Sequence, residues 1–168
     1  MRAEQLQREA TVVRLIETEA RYLDRRLWDE WLELYTDDAV YWMPAWRDDG
    51  EMTQDPDREL SLIYYESRKR LEERVWRARS GLAVSSTPLV RTMHTVSNIA
   101  VETGDTDQAS ASANWSVHVY DPRPRSSSVF FGLYDFEFAQ QSGDWLISRK
   151  KITLLNDHLP TFLDFYTI

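Results

Sequence analysis

Three histidines, His94, His118 and His158, are the side chains of this 168-residue sequence whose ordinary pKa suits proton transfer near neutrality and whose imidazole suits a transition metal. A mononuclear iron site needs two His and a carboxylate converging on the metal. His94 and His118 lie on adjacent predicted strands and could approach each other. A strand His near Thr and Ser is more often a satisfied structural group, and no metal ligand is assigned. If the fold leaves a pocket, Tyr22, Tyr41, His94, His118 and Asp135 are the acid–base candidates. Packing or cross-strand pairing accounts for each of them without chemistry. There is no Cys, which excludes disulfides, thiolate nucleophiles, Cys-zinc sites and Cys-ligated iron–sulfur clusters in this chain. No G-x-S-x-G elbow is present, and five scattered glycines make no phosphate loop. The sequence assigns no catalytic, cofactor-binding or metal-binding residue.

The elements that would position such groups are clearest between Leu89 and Leu155. Four strand-like runs occur there, at about 89–102, 108–120, 127–140 and 144–155. Thr103-Gly104-Asp105, Asp121-Pro122-Arg123-Pro124 and Ser142-Gly143 separate them with turn chemistry. Such short links predict an antiparallel meander. In the second run Ala111, Ala113, Trp115, Val117 and Val119 share one parity, and Ser112, Asn114, Ser116 and His118 the other, which is a strand with unlike faces. The third run is apolar on both parities, with Phe130, Tyr134, Phe136 and Phe138 against Val129, Phe131 and Leu133, so both of its faces should be covered. If Ser142-Gly143 is a two-residue hairpin loop, Gln141 pairs with Asp144. Counting back then sets Asp135 opposite Lys150, Leu133 opposite Ile152 and Phe131 opposite Leu154.

Upstream, Leu6, Ala10, Val13, Ile16, Ala20, Leu23 and Leu27 step by three or four, the spacing of one helical face. Asp24 could cap a second helix through Trp28, Trp31, Leu32 and Tyr35, giving helix over about 4–36. A short strand follows at 39–45, ending at Pro44. Residues 47–59 hold six acids and two bases and read as an exposed acidic loop with no calcium-loop spacing. An extended entry to Tyr64 precedes a helix at about 65–78, supported by Glu66–Arg70 and Glu73–Arg77 spacing. Its Arg68, Lys69, Arg70, Arg74, Arg77 and Arg79 are a solvated face or a dock for an acidic partner. Residues 80–88 read as loop, and 156–168 as a greasy tail in need of a dock. Helices followed by a long antiparallel sheet make an α+β fold, a curved sheet wrapped on helices into a cone, in a single domain spanning 1–168.

A net charge of −8 argues against nucleic acid or an anionic membrane as partner. Residues 1–30 lack an apolar core segment and no window approaches ~18 apolar residues, so a soluble, cytoplasmic protein is expected. Seven Trp, eight Tyr and six Phe imply a bulky core, an interface, or both.

The stretches LDRRLWDEWLELYTDDAVYWMPAW, ELSLIYYESRKRLEERVWRARS and STPLVRTMHTVSNIAVE, in this order and spacing, resemble the small (β) subunit of Rieske non-haem iron aromatic-ring-hydroxylating dioxygenases. The similarity runs from about Glu17 to the C-terminus. MPAW, ELSLIYY and RTMHTVSNI look most like the branch acting on benzoate, toluate, halobenzoate or anthranilate. The resemblance implies a nuclear transport factor 2-like (cystatin-like) fold and a non-catalytic structural role. It also implies an α3β3 assembly whose large subunit holds the Rieske [2Fe-2S] cluster and the mononuclear Fe(II), with electrons from NADH through a reductase, with or without a ferredoxin. The product would be a cis-dihydrodiol, or a catechol where a substituent is lost. Interface candidates under this reading are the outer sheet face, Tyr41, Trp42, Trp46, Arg91 and His94, and Phe162, Phe165 and Tyr166 of the tail. The alternatives are a free-standing isomerase, dehydratase or lyase with a pocket in the cone, and a ligand-binding module of the same fold.

Overall fold

Twenty-four residues without Gly or Pro form helix α1 (Arg2–Arg25), which turns Val12, Ile16, Glu19, Ala20 and Leu23 inward. The computed structural model describes residues 2–81, 88–104, 107–157 and 163–168. Arg26, with φ of 58°, ends α1 and redirects the chain into α2 (Trp28–Glu33). The α2 N-cap is Leu27 without a side-chain cap, so Asp24 does not play the expected role. Asp24 instead accepts from the Thr92 hydroxyl and the His94 backbone N–H.

Helix does not continue to residue 36. Tyr35 already begins strand β1 (Tyr35–Pro44), which lies parallel to β6 (Asp144–Leu154). The Ile147 N–H donates to the Leu34 carbonyl, so sheet pairing claims the backbone there. Strand β2 (Ser61–Tyr65) pairs antiparallel with β1, which delays α3 (Arg68–Ser80) by three residues against the expected start at 65. Gly81, at φ of 68°, closes α3 in the left-handed conformation usual at a helix C-terminus. Arg70 pairs with Glu73, not Glu66, because Glu66 lies outside the helix. The loop expected at 80–88 falls mostly on residues 82–87, outside the described ones.

The remaining strands are β3 (Arg91–Thr103), β4 (Gln108–Asp121) and β5 (Ser126–Gln141), followed by β6. They form the predicted antiparallel meander, and the six-stranded sheet has the order β2-β1-β6-β5-β4-β3. It is mixed and open, with β2 and β3 at its edges. Ser142 and Gly143 have φ of 52° and 94°, the primed turn that matches strand twist, and Gln141 does face Asp144.

Further along, the expected β5–β6 register fails. Glu137 pairs with Arg149 while Phe138 pairs with Ile147, so Ser148 is an extra residue on β6. The bulge moves every later pair by one: Asp135 faces Lys151, Leu133 faces Thr153, and Leu154 faces Gly132. Ile147 and Lys150 therefore both point inward, and both are fully buried. Gly132 is required by a close approach, since a Cβ there would lie 1.7 Å from the Thr153 carbonyl oxygen.

One apolar cluster joins α1, α2, α3, the inner face of the sheet and the last residues of the chain. The tail does find its dock: Phe165 and Ile168 have no exposed surface and Tyr166 has 4%.

Candidate functional site

The interior of the cone is where a pocket would have to be. Trp31, Tyr35, Tyr41, Tyr134, Phe136 and Phe165, each no more than 1% exposed, occupy it. Their rings touch in sequence: Trp31 meets Tyr35 edge-on at 5.1 Å and stacks on Phe165 at 5.1 Å, while Trp115 stacks on Tyr134 at 5.2 Å.

A buried ion pair sits among these rings. Glu19 arrives on the apolar stripe of α1, between Ile16 and Leu23, and Lys150 on β6 through the Ser148 bulge. Glu19 Oε1 accepts from Lys150 Nζ, the Trp31 indole and the Tyr35 hydroxyl, each at 2.8 Å. The ammonium also lies 4.3 Å from the centre of the Tyr134 ring. Burial pushes the Lys150 pKa down from its ordinary value, against the pull of Glu19. Burial, reinforced by the charge of Glu19, drives the phenols of Tyr35, Tyr41 and Tyr134 well above theirs. At neutral pH these are uncharged rings around an ion pair that ties α1 to β6.

A second polar group ties α1 to β3. His94 Nδ1 lies 2.5 Å from Asp24, and the imidazole is fully covered. Burial tends to raise the Asp24 carboxyl, but its bonds to His94 and Thr92 bring it below the ordinary carboxylate range. A third anchors the tail. Asp164, 3% exposed, holds Arg74 of α3 at 2.6 Å and caps the turn Phe165–Thr167. Phe165 and Tyr166 then pack on Trp28 at 5.3 and 5.7 Å.

The candidate residues separate accordingly. Tyr41 and His94 share the interior, whereas His118 and Asp135 point away from it on β4 and β5, so the five acid–base candidates do not assemble. His94 and His118 stand on opposite faces of the sheet and cannot share a metal. Among the described residues no three His, Asp or Glu are grouped to hold one. His158 lies outside those residues. A Rieske cluster does not fit this chain, since it needs two Cys and two His and there is no Cys.

Of the interface candidates, Tyr41, Trp42, His94, Phe165 and Tyr166 are spent inside the chain. The Trp42 indole donates to Ser61 and lies under Arg149 and Lys151. Trp46 is half-buried, its indole bonded to the Leu154 carbonyl at 2.6 Å, and Arg91 is exposed over the Tyr120 ring. Phe162 lies outside the described residues.

Glu19 and Asp164 were not singled out from the sequence, and Asp24 and Lys150 were read only as a helix cap and as the cross-strand partner of Asp135. Two left a signal: Glu19 falls on the apolar stripe of α1, and Lys150 shares parity with Ile152 and Leu154.

Residues 18–161 match the family described as the ring hydroxylating beta subunit. The chain belongs to this family. Among curated members, the small subunit of 2-halobenzoate 1,2-dioxygenase from Burkholderia cepacia is 40% identical, covering 94% of each chain. The benzoate 1,2-dioxygenase subunit beta of Acinetobacter baylyi is 39% identical, covering 90% of this chain and 88% of that one. The solved beta subunit of benzoate 1,2-dioxygenase from Burkholderia mallei superposes with a TM-score of 0.77 at 33% identity, covering 95% and 96%. A hexachlorocyclohexane dehydrochlorinase shares the fold alone, with a TM-score of 0.70 at 13% identity over 97% and 94% of the two chains. The ring-hydroxylating beta subunit fold is thus the nuclear transport factor 2-like cone expected from the sequence. Its interior, in this member, is aromatic core.

Proposed function

We propose that this beta subunit is the non-catalytic scaffold of an oxygenase that adds both atoms of O2 to an aromatic carboxylate of the benzoate, toluate, halobenzoate or anthranilate kind. The packed interior supports the reading: Tyr35, Tyr41 and Tyr134 lie buried around the Glu19–Lys150 pair, and the acid–base candidates do not come together. The chemistry then belongs to a large subunit bearing the Rieske cluster and the mononuclear iron, supplied with NADH electrons by a reductase. Three large and three small chains in the cytoplasm are the expected assembly, in which permanent contacts hold the iron-bearing chains in register. Trp46 and Arg91 are the members of the original interface set with surface left to offer such a partner. The free-standing isomerase, dehydratase or lyase is not favoured, because its proposed set is divided between the two faces of the sheet.

The test is to purify the chain alone and co-expressed with the large subunit of the same oxygenase, then measure iron, mass and dihydroxylation of benzoate. The expected outcome is an iron-free, inactive chain alone and a brown, active complex with the partner. Turnover of a small molecule by the isolated chain would sink the scaffold reading.

A further inference from the structure

The hydrogen bonding around Glu19 and Lys150 is not completed by the chain itself. Tyr41 is fully buried and Tyr134 1% exposed, yet neither hydroxyl has a hydrogen-bond partner among the described residues. Lys150 Nζ carries three donors and has one oxygen acceptor, Glu19 Oε1 at 2.8 Å. Its other neighbours are the rings of Tyr134, Tyr41 and Phe136, with centres at 4.3, 5.6 and 5.7 Å, whose faces attract the charge but supply no oxygen. Glu19 is equally lopsided: Lys150, Trp31 and Tyr35 all donate to Oε1 and none of them to Oε2. A buried hydroxyl without a partner is costly, and native interiors supply one from protein or from water.

These unused positions belong to one place. Burial first, then Glu19 and Tyr134, raise the Tyr41 phenol, and burial first, then Glu19, raise the Tyr134 phenol, so both hydroxyls feel the same carboxylate. Aromatic packing is loosest beside Tyr41. Its ring contacts with Trp31, Tyr35 and Tyr65 lie at 6.2, 6.3 and 6.4 Å, whereas the remaining ring pairs among the described residues lie at 5.1–5.7 Å. The chemistry of the set then selects the occupant. Glu19 and Lys150 cancel in charge, so an ion entering beside them is a buried charge without a counter-ion. Lys150 calls for an acceptor, Glu19 Oε2 for a donor, and the phenols serve as either. A neutral molecule that donates and accepts, and is small enough to lie between packed rings, is water.

We infer that the interior of the cone binds water at Tyr41, Tyr134 and the Glu19–Lys150 pair, as a permanent link between α1, β1, β5 and β6. The site lies within this chain and needs no large subunit, so its test is independent of the scaffold reading. A high-resolution crystal structure of the full-length chain, as wild type and as Tyr41→Phe, tests it, and oxygen-17 magnetic relaxation dispersion counts long-lived internal waters in solution. The expected result is solvent density within about 2.5–3.2 Å of the Tyr41 hydroxyl and of a second member of the set. Tyr41→Phe keeps the ring and removes the hydroxyl, and it should lose that density and about one long-lived water with an unchanged circular dichroism spectrum. Tyr134→Phe is the second variant, used if the first does not fold. A wild type whose phenols bond directly to protein atoms, with no density between them, overturns the proposal, as does a folded variant with the wild-type water count. Crystals soaked in bromide separate the other occupant. An anomalous peak at the set gives the site to an anion and overturns the neutral guest, and solvent density without such a peak supports water.

Discussion

Lys150 shows how one residue can be misplaced by a correct local argument. The Ser142-Gly143 turn and simple counting put it opposite Asp135; the Ser148 bulge puts it in the core against Glu19. Removing one member of such a pair leaves an uncompensated buried charge, so Glu19→Gln or Lys150→Met alone is expected to cost ~3–5 kcal/mol. Glu19→Leu with Lys150→Met should cost less than the sum of the single changes, read as a coupling in urea denaturation. Additive losses would show that the pair is not a unit. The titrating residues also set the pH limits. Asp24 has a folded pKa below its unfolded value of 3.8, so its contribution is present above that value and is lost as pH falls through the folded one. Tyr35, Tyr41 and Tyr134 are raised above 10.0, so theirs is present below pH 10.0 and is lost as pH rises beyond it. Lys150, lowered below 10.5, runs the other way as one group against three. Chemical denaturation from pH 3 to 11 is expected to show falling stability at both ends, and Tyr134→Phe should soften the alkaline fall.

At the scale of elements, local chemistry and long-range pairing divide the chain between them. Strands β4 and β5 were legible because their turns and period-two faces are written in adjacent residues. The ends of the helices were not. Strand β6, more than a hundred residues away, draws Tyr35 into the sheet, and β1 does the same to Tyr64 and Tyr65. The tail likewise carried only an apolar composition, and its anchor is Asp164 on Arg74. Phe165→Ala should cost ~3–5 kcal/mol, as a buried aromatic lost from a filled core does. Ending the chain at residue 162 should lower the melting temperature and raise binding of a hydrophobic dye, because Trp28 and Trp31 lose their cover. A melting temperature equal to wild type would mean that the tail does not complete the core.

For the whole molecule, burial decides which aromatic residues can serve an assembly. Five of the interface candidates are inside, and Trp46 and Arg91 remain. Trp46→Ala with Arg91→Ala is expected to weaken capture of the large subunit at least tenfold, about 1.4 kcal/mol, with the fold intact. Unchanged capture by calorimetry or pull-down would remove both from the interface. No helix among the described residues is long and apolar enough to cross a membrane.

Period, turn residues and the order of three motifs were enough to determine the α+β class, the four-strand meander and the family, since each is carried by neighbours in the chain. Only the tertiary structure decided that Asp24 grips β3, that Lys150 turns inward and that aromatic side chains occupy the interior. Glu19 and Lys150 lie 131 positions apart and meet through a one-residue bulge that reverses every side chain beyond it. Contacts at that separation are set by how the whole core packs, and no local pattern encodes them.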